Sequence, residues 1–192
     1  MIKKMRKILG IVLMSIMILI VIGAATMFVL TKVNDAYKGD YQSIVTSSDA
    51  SAPKALVIYQ PSKSKDSDEI AKQLAAGLNS EGYEVTITYS GKHIDDDISE
   101  YTVVSFGSPV FFGKPSAAVI DTITRLKGLP EKTIIIYSVG KANEVPELDI
   151  LAKSLGTKEA DYMTKFQISD AEKDKKAYEL GATAGRESKK AN

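Results

Sequence analysis

Two clusters of side chains have the types and spacing to do chemistry. The first is residues 103–116, VVSFGSPVFFGKPS. The β-branched and aromatic run Val103, Val104 and Phe106 stops at Gly107, and a compact Ser-Pro-aromatic-Gly loop follows. Pro115 and Ser116 then open an apolar-periodic segment. That order predicts strand, ligand loop, helix. A loop holding Gly107, Gly113, Pro109, Pro115 and the adjacent Phe111 and Phe112 suits a flat aromatic ligand better than a plain connection. The second cluster is Ser62-Lys63-Ser64-Lys65-Asp66-Ser67. These residues stand just ahead of an amphipathic segment, and a helix N-terminus offers orphan amides and the positive end of its dipole, the physics of any anion site. Lys63 and Lys65 add positive charge, and Asp66 opposes it. The same serines also fit an ordinary polar turn with helix capping.

Other chemistries find less support. There is no Cys, which removes disulfides, thiolate metal sites and a cysteine nucleophile. The single histidine, His93, stands near Asp95, Asp96 and Asp97. It excludes a multi-histidine metal site, and beside a short acidic run it reads as part of a solvated loop. No metal is expected. Ser138 has no G-x-S-x-G elbow around it and no histidine besides His93 to activate it, which argues against Ser-His hydrolysis. A GxxxxGK[ST] loop is missing, so triphosphate hydrolysis lacks its motif. Tyr137 closes an apolar run and reads as core. The net charge of +1 gives no case for nucleic acid.

The elements that must position these clusters lie in two unlike parts. Across 192 residues, 44% are hydrophobic and 26% charged, enough for one packed domain plus an appendage. Residues 8–30 contain no charge. About 23 residues at roughly 1.5 Å each reach about 34 Å, against a hydrocarbon core of about 30 Å. This predicts one transmembrane helix contacting membrane lipid. A cleaved signal peptide is the competing reading, and Gly23-Ala24-Ala25 would supply its site, but Met27, Phe28, Val29 and Leu30 continue the apolar run. A buried core helix is the third. Lys3, Lys4, Arg6 and Lys7 crowd the amino side, whereas only Lys32 and Lys38 lie near the other. The positive-inside rule then places the N-terminus in the cytoplasm and the remaining chain outside it, as a single-pass protein of the cell membrane.

Residues 32–53 read as a linker, ending in the small and polar SSDASAP. From residue 54 apolar runs alternate with helical periodicity. Strands are expected at 55–59, 85–89, 101–106, 133–137 and 162–168, and helices at 67–79, 118–127, 148–155 and 171–187. Asp66 and Glu69 are spaced as a capping box for the first of these helices. The last helix has a small inner face of Ala177, Gly181 and Ala184. Residues 91–100 are too short for a full helix, so a turn or loop must cover the sheet there. Strands alternating with helices imply a parallel sheet covered on both faces.

In these residues the chain resembles the flavodoxins, over roughly residues 54–185. The motif GSPVFFG at 107–113 is similar to the second flavin-contacting loop of short flavodoxins and flavodoxin-like quinone reductases. Flavodoxins carry Ser/Thr-x-Thr-Gly-x-Thr after the first strand. Here Ser62, Ser64 and Ser67 stand at the hydroxyl places, Lys65 replaces the glycine, and the loop is one residue longer. A non-glycine residue at positive φ costs roughly 1–2 kcal/mol, so Lys65 is strained or the loop takes another path. The third loop, 138–143, carries no aromatic, which leaves Phe111 or Phe112 to face the ring.

The resemblance implies an α/β, flavodoxin-like three-layer sandwich at 54–192. Its five-stranded parallel sheet has order 2-1-3-4-5, and the basic start and transmembrane anchor at 1–31 precede it. It implies FMN, with Ser62, Lys63, Ser64, Lys65 and Ser67 at the phosphate. Ser108, Pro109, Val110, Phe111, Phe112, Gly113, Ser138, Val139 and Gly140 would surround the ring. The function implied is a membrane-anchored electron carrier or oxidoreductase serving redox partner proteins, membrane-bound ones included, with no side chain needed as acid or base. The alternative is the same fold without FMN, acting as a surface interaction module. Lys65, the missing third-loop aromatic and the placement outside the cytoplasm favour the alternative; GSPVFFG and the three hydroxyls favour flavin.

Overall fold

The structure is a computed structural model that describes residues 2–36 and 38–191. It divides into two units, the first ending at Ala36. That first unit is the helix α1 (Ile2–Asp35). Within its stretch Lys4–Val33 an 18-residue window reaches mean hydropathy 2.9, and none of that window is buried within the molecule. Apolar side chains project all round, among them Ile11, Leu19 and Phe28. Ser15, Thr26 and Thr31 donate back to the carbonyls of Ile11, Ile22 and Met27, so their hydroxyls need no water. This one helix is long and apolar enough to cross a membrane.

The second unit is a sheet with helices on both faces. Its strands are β1 (Gln42–Val45), β2 (Lys54–Tyr59), β3 (Glu84–Tyr89), β4 (Tyr101–Phe111), β5 (Lys114–Pro115), β6 (Thr133–Gly140) and β7 (Tyr162–Gln167). The helices are α2 (Asp66–Ser80), α3 (Ala117–Arg125), α4 (Pro146–Ser154) and α5 (Lys173–Ala191). The sheet order is β1-β3-β2-β4-β6-β7, with β5 paired to β4. The five strands expected from the sequence run parallel in the expected order.

The sheet is nevertheless seven-stranded and mixed, not five-stranded and parallel. β1 pairs antiparallel with β3, Gln42 facing Thr88 and Val45 facing Val85, inside the stretch read as linker. Its four residues, QSIV, alternate between exposed and half-buried, too short a pattern to register as a strand. The Tyr41 ring packs on Tyr89 at 4.6 Å, which seals that edge.

Strand alternation builds two cores. In β2, Ala55, Val57 and Tyr59 face α2 and α5, while Leu56 and Ile58 face the layer holding Val119, Ile123, Leu148 and Leu151. Every one of these is buried, as a sheet covered on both sides requires. No helix follows β3; Ile94 and Ile98 from the connecting segment cover the sheet instead. The small face of α5 packs on α2 at backbone contact. A Cβ on Gly181 would lie 2.2 Å from the Leu74 carbonyl oxygen, and one on Gly77 would lie 2.1 Å from that of Tyr178. Only glycine fits at either position.

Candidate functional site

The central strands β2, β4 and β6 are neighbours and end at the same edge of the sheet. The chain runs from β2 outward to β3, then returns to β4 on the other side of β2, so the winding reverses between β2 and β4. Ligands of open α/β sheets bind outside such a switch point. Here the loops after β2, β4 and β6 enclose a groove of about 410 Å³. It is lined by Ser62, Lys63, Ser64, Pro109, Val110, Phe111, Phe112, Gly113, Val139, Gly140, Lys141, Ala142 and Ile168. That volume lies within the range of about 300–1,000 Å³ usual for small-molecule sites.

Lys65 takes the left-handed conformation, φ 62°. It is the N-cap of α2, and no side chain caps the helix. The Asp66–Glu69 capping box is therefore not formed, because the helix starts at Asp66 itself and that residue stands inside the first turn. The Ser62 and Ser64 hydroxyls lie 3.2 Å apart. The Ser67 hydroxyl is buried without a hydrogen-bond partner. Asp66, Asp68 and Glu69 place three carboxylates in this first turn. Asp66 lies 3.8 Å from the Lys173 ammonium, and Asp68 accepts from the Tyr59 hydroxyl at 2.9 Å. Burial, then the neighbouring Asp68, push the Tyr59 phenol far above its ordinary pKa, so it serves as a donor.

The second segment is not the loop expected but a hairpin. β4 continues to Phe111, turns at Phe112 and Gly113, and returns through β5. Val110 faces Pro115 and Phe111 faces Lys114. β6 supports the extension, pairing as far as Pro109 with Val139. Phe112 has φ 49° and Gly113 φ 72°, the signs a type I′ turn needs at both central positions. Phe112 is 57% exposed. A large aromatic residue held exposed in a left-handed turn has no stability rationale, and strain of this kind clusters at functional sites. Lys65 and Phe112 are the non-glycine residues with positive φ among the described residues. At the base of the hairpin Gly107 leaves room for Tyr137, whose ring atoms lie 2.1–2.6 Å from where a Cβ would stand. Burial raises the Tyr137 phenol well above its ordinary pKa, and its hydroxyl has no partner.

The third loop, 141–145, follows β6. Val139 and Gly140 face the groove, but Ser138 does not. Its hydroxyl is buried and donates to Glu147 Oε1 at 2.8 Å. The same oxygen lies 2.8 Å from Lys165 Nζ in an ion pair whose side chains are 1% and 6% exposed. Burial pushes the Glu147 carboxyl up, but hydrogen bonds from Lys165 and Ser138 outweigh it and hold the group below the usual carboxylate range. Lys165 also donates to the Glu144 carbonyl at 2.6 Å. Ser108 is likewise committed internally: its oxygen accepts from the Ser116 amide at 2.7 Å and its hydroxyl donates to the Pro109 carbonyl.

Ser62, Lys63, Ser64, Pro109, Val110, Phe111, Phe112, Gly113, Val139 and Gly140 thus meet around one groove. Lys65, Ser67, Ser108 and Ser138 do not line it. Sequence reasoning held Ala142 only as part of the third loop, and it missed Ile168 and the buried Glu147–Lys165 pair. Their partners come from separate elements, and no spacing in the chain announces them. A larger groove of about 630 Å³ runs between β7 and α5, away from the ends of β2 and β4.

No family model matches the chain. An uncharacterized protein of Methanocaldococcus jannaschii is 29% identical over 87 residues, which is 45% of this chain and 55% of that protein. The chain thus spans about half the length of that relative. Among solved structures, the Flv1 flavodiiron core of Synechocystis sp. PCC6803 aligns with TM-score 0.64 and 17% identity, over 74% of this chain and 38% of that one. The rubredoxin oxygen:oxidoreductase of Desulfovibrio gigas aligns with TM-score 0.61 and 20% identity, over 72% and 37%. The two-electron reduced flavodoxin of Megasphaera elsdenii aligns with TM-score 0.58 and 16% identity, over 69% of this chain and 98% of that one. The unit that follows α1 therefore has the flavodoxin-like fold.

Proposed function

We propose that this protein is a membrane-anchored flavodoxin-like electron carrier that binds FMN in the groove outside β2, β4 and β6. The observation that carries the reading is Phe112, an exposed aromatic side chain kept on a left-handed turn beside that groove. The residues present fit the group. Val110, Phe111, Phe112 and Val139 offer apolar surface for a flat ring. Ser62, Ser64 and Lys63 line the same groove, where hydroxyls and an ammonium suit a phosphate. The buried, unpartnered Ser67 hydroxyl stands in the first turn of α2, whose leading amides have no side-chain cap.

When bound, FMN supplies the redox chemistry. The chain's own residues bind and orient it. Ser62 and Ser64 would hold the phosphate, and the hairpin residues with Val139 and Gly140 would hold the ring. No side chain need transfer a proton. α1 would tether the unit to the bilayer, with the basic residues Lys3, Lys4, Arg6 and Lys7 cytoplasmic and the flavodoxin-like unit outside. Tethering raises the effective concentration of membrane-bound redox partners.

One observation favours a second reading, an interaction module of the same fold without FMN. Asp66, Asp68 and Glu69 oppose an incoming phosphate dianion in the first turn of α2. Titrating the full chain in detergent with FMN, with riboflavin as control, decides between them. Saturable FMN binding that riboflavin cannot match is the expected result. No binding by the folded chain overturns the flavin reading in favour of the module. The full chain is needed because a fragment starting at Lys54 would lose β1.

A further inference from the structure

The third wall of the groove has no apolar anchor of its own. Residues 141–145 are all exposed, yet Lys141 and Ala142 line the groove. Two side chains of β7 reach this segment. Lys165 Nζ donates to the Glu144 carbonyl at 2.6 Å, and Gln167 Nε2 donates to Asn143 Oδ1 at 2.8 Å. Both contacts end on exposed residues of the segment, but the Lys165 side chain itself is nearly buried, at 6% exposed.

Burying an ammonium requires compensation, and Glu147 provides it at 2.8 Å. The pair is a poor choice for stability alone. A buried ion pair can usually be replaced by apolar side chains of similar volume without loss. Glu147 also keeps Oε2 buried with no partner. An apolar pair could not make the hydrogen bond to Glu144. That bond is what the charged pair adds. Glu147 is well placed to hold the ammonium, because it stands in the first turn of α4, where the helix dipole favours negative charge. Ser138 fixes the carboxylate from β6, directly before the groove residues Val139 and Gly140. A Cβ on Gly140 would lie 3.5 Å from Lys165 Cε, so the stem of the lysine passes just beneath that wall.

We propose that Lys165 and Glu147 are positioning residues: a buried clamp that fixes the 141–145 segment and thereby the ring-facing wall of the groove. This rests on the reading of the groove as a flavin site. Glu147 holds the ammonium in place, and the ammonium holds the Glu144 carbonyl. The clamp acts on the ring end of a ligand and not on its phosphate.

The test pairs Lys165→Met with Glu147→Leu in the full chain in detergent. The double change removes both charges together and is expected to keep the melting temperature of the wild type, whereas Lys165→Met alone leaves a buried, unpaired carboxylate and lowers it. The chain contains no tryptophan, so Ala142→Trp gives a single local reporter without any flavin present. When the double change is made in that background, the fluorescence anisotropy of the introduced indole falls, because the segment is released. In the chain without the reporter, the double change lowers the FMN and riboflavin affinities together, each at least tenfold. Unchanged anisotropy overturns the clamp, and so does unchanged affinity for both flavins. If the wild type binds neither flavin, the flavin reading fails by itself, and the anisotropy of the indole still decides the clamp.

Discussion

Lys65 and Phe112 adopt the same left-handed backbone, in two of the loops that border one groove, for opposite chemical reasons. Lys65 brings charge to a segment of hydroxyls, at the start of a helix whose first turn is acidic. Phe112 brings apolar area to a hairpin whose turn geometry would prefer Asn or Gly. Each carries backbone strain of about 1–2 kcal/mol, so each could be relieved by a single substitution. Strain at two unrelated side chains beside one groove supports the proposal that binding, not folding, has chosen these residues. They also divide the groove by chemistry into a polar end and an apolar end, which the proposed function assigns to an anion and a ring.

The sharpest way to break this division is to remove the apolar end. Phe111→Ala with Phe112→Ala should weaken FMN and riboflavin alike by about 100-fold, the loss expected when about 3 kcal/mol of aromatic contact is removed. Equilibrium titration of both flavins checks it, and a change confined to FMN would reverse the assignment of the two ends. At the polar end, Ser62→Ala with Ser64→Ala should cost FMN at least tenfold, about 1.4 kcal/mol, and leave riboflavin unchanged. The smallest effect concerns strain itself. Lys65→Gly and Phe112→Asn should each stabilise the flavin-free protein by about 0.5–1 kcal/mol, read as a melting point higher by roughly 1–4 °C. The two should then part company: Lys65→Gly weakens FMN only, and more so at low salt, while Phe112→Asn weakens both flavins. Two destabilised variants would mean that neither backbone is strained.

The layering of the fold was legible because its signals are periodic. Apolar runs such as 133–137 mark buried parallel strands, and the small spacing of Ala177, Gly181 and Ala184 marks a helix face in tight contact. At Lys65 the sequence left open strain or another loop path, and the structure has the left-handed backbone, φ 62°. β1 was not legible, because four half-polar residues at a sheet edge depend on the strand beside them rather than on their own pattern. The hairpin hid inside what resembled a loop. Ser108 and Ser138 have the composition of ligand contacts, yet their hydroxyls are taken up by Ser116, Pro109 and Glu147. Glu147 and Lys165 lie in different elements and meet only after β6 and β7 have paired. Where a side chain's role depends on which buried atom it finds, chain order carries no trace of it.

The glycine contact between α2 and α5 bears on how the molecule comes into being. The Tyr83 hydroxyl, just past α2, reaches the Gly185 carbonyl across 102 residues of chain. Ala71, Leu74 and Leu78 of α2 belong to the core that Ala177 and Ala184 of α5 complete. During synthesis α2 emerges long before its partner exists, and its apolar stripe must wait uncovered until α5 follows. Such non-local closure is slow. Under the proposed topology, a polypeptide still lacking α5 stays loose enough to be threaded, and it locks when α5 arrives.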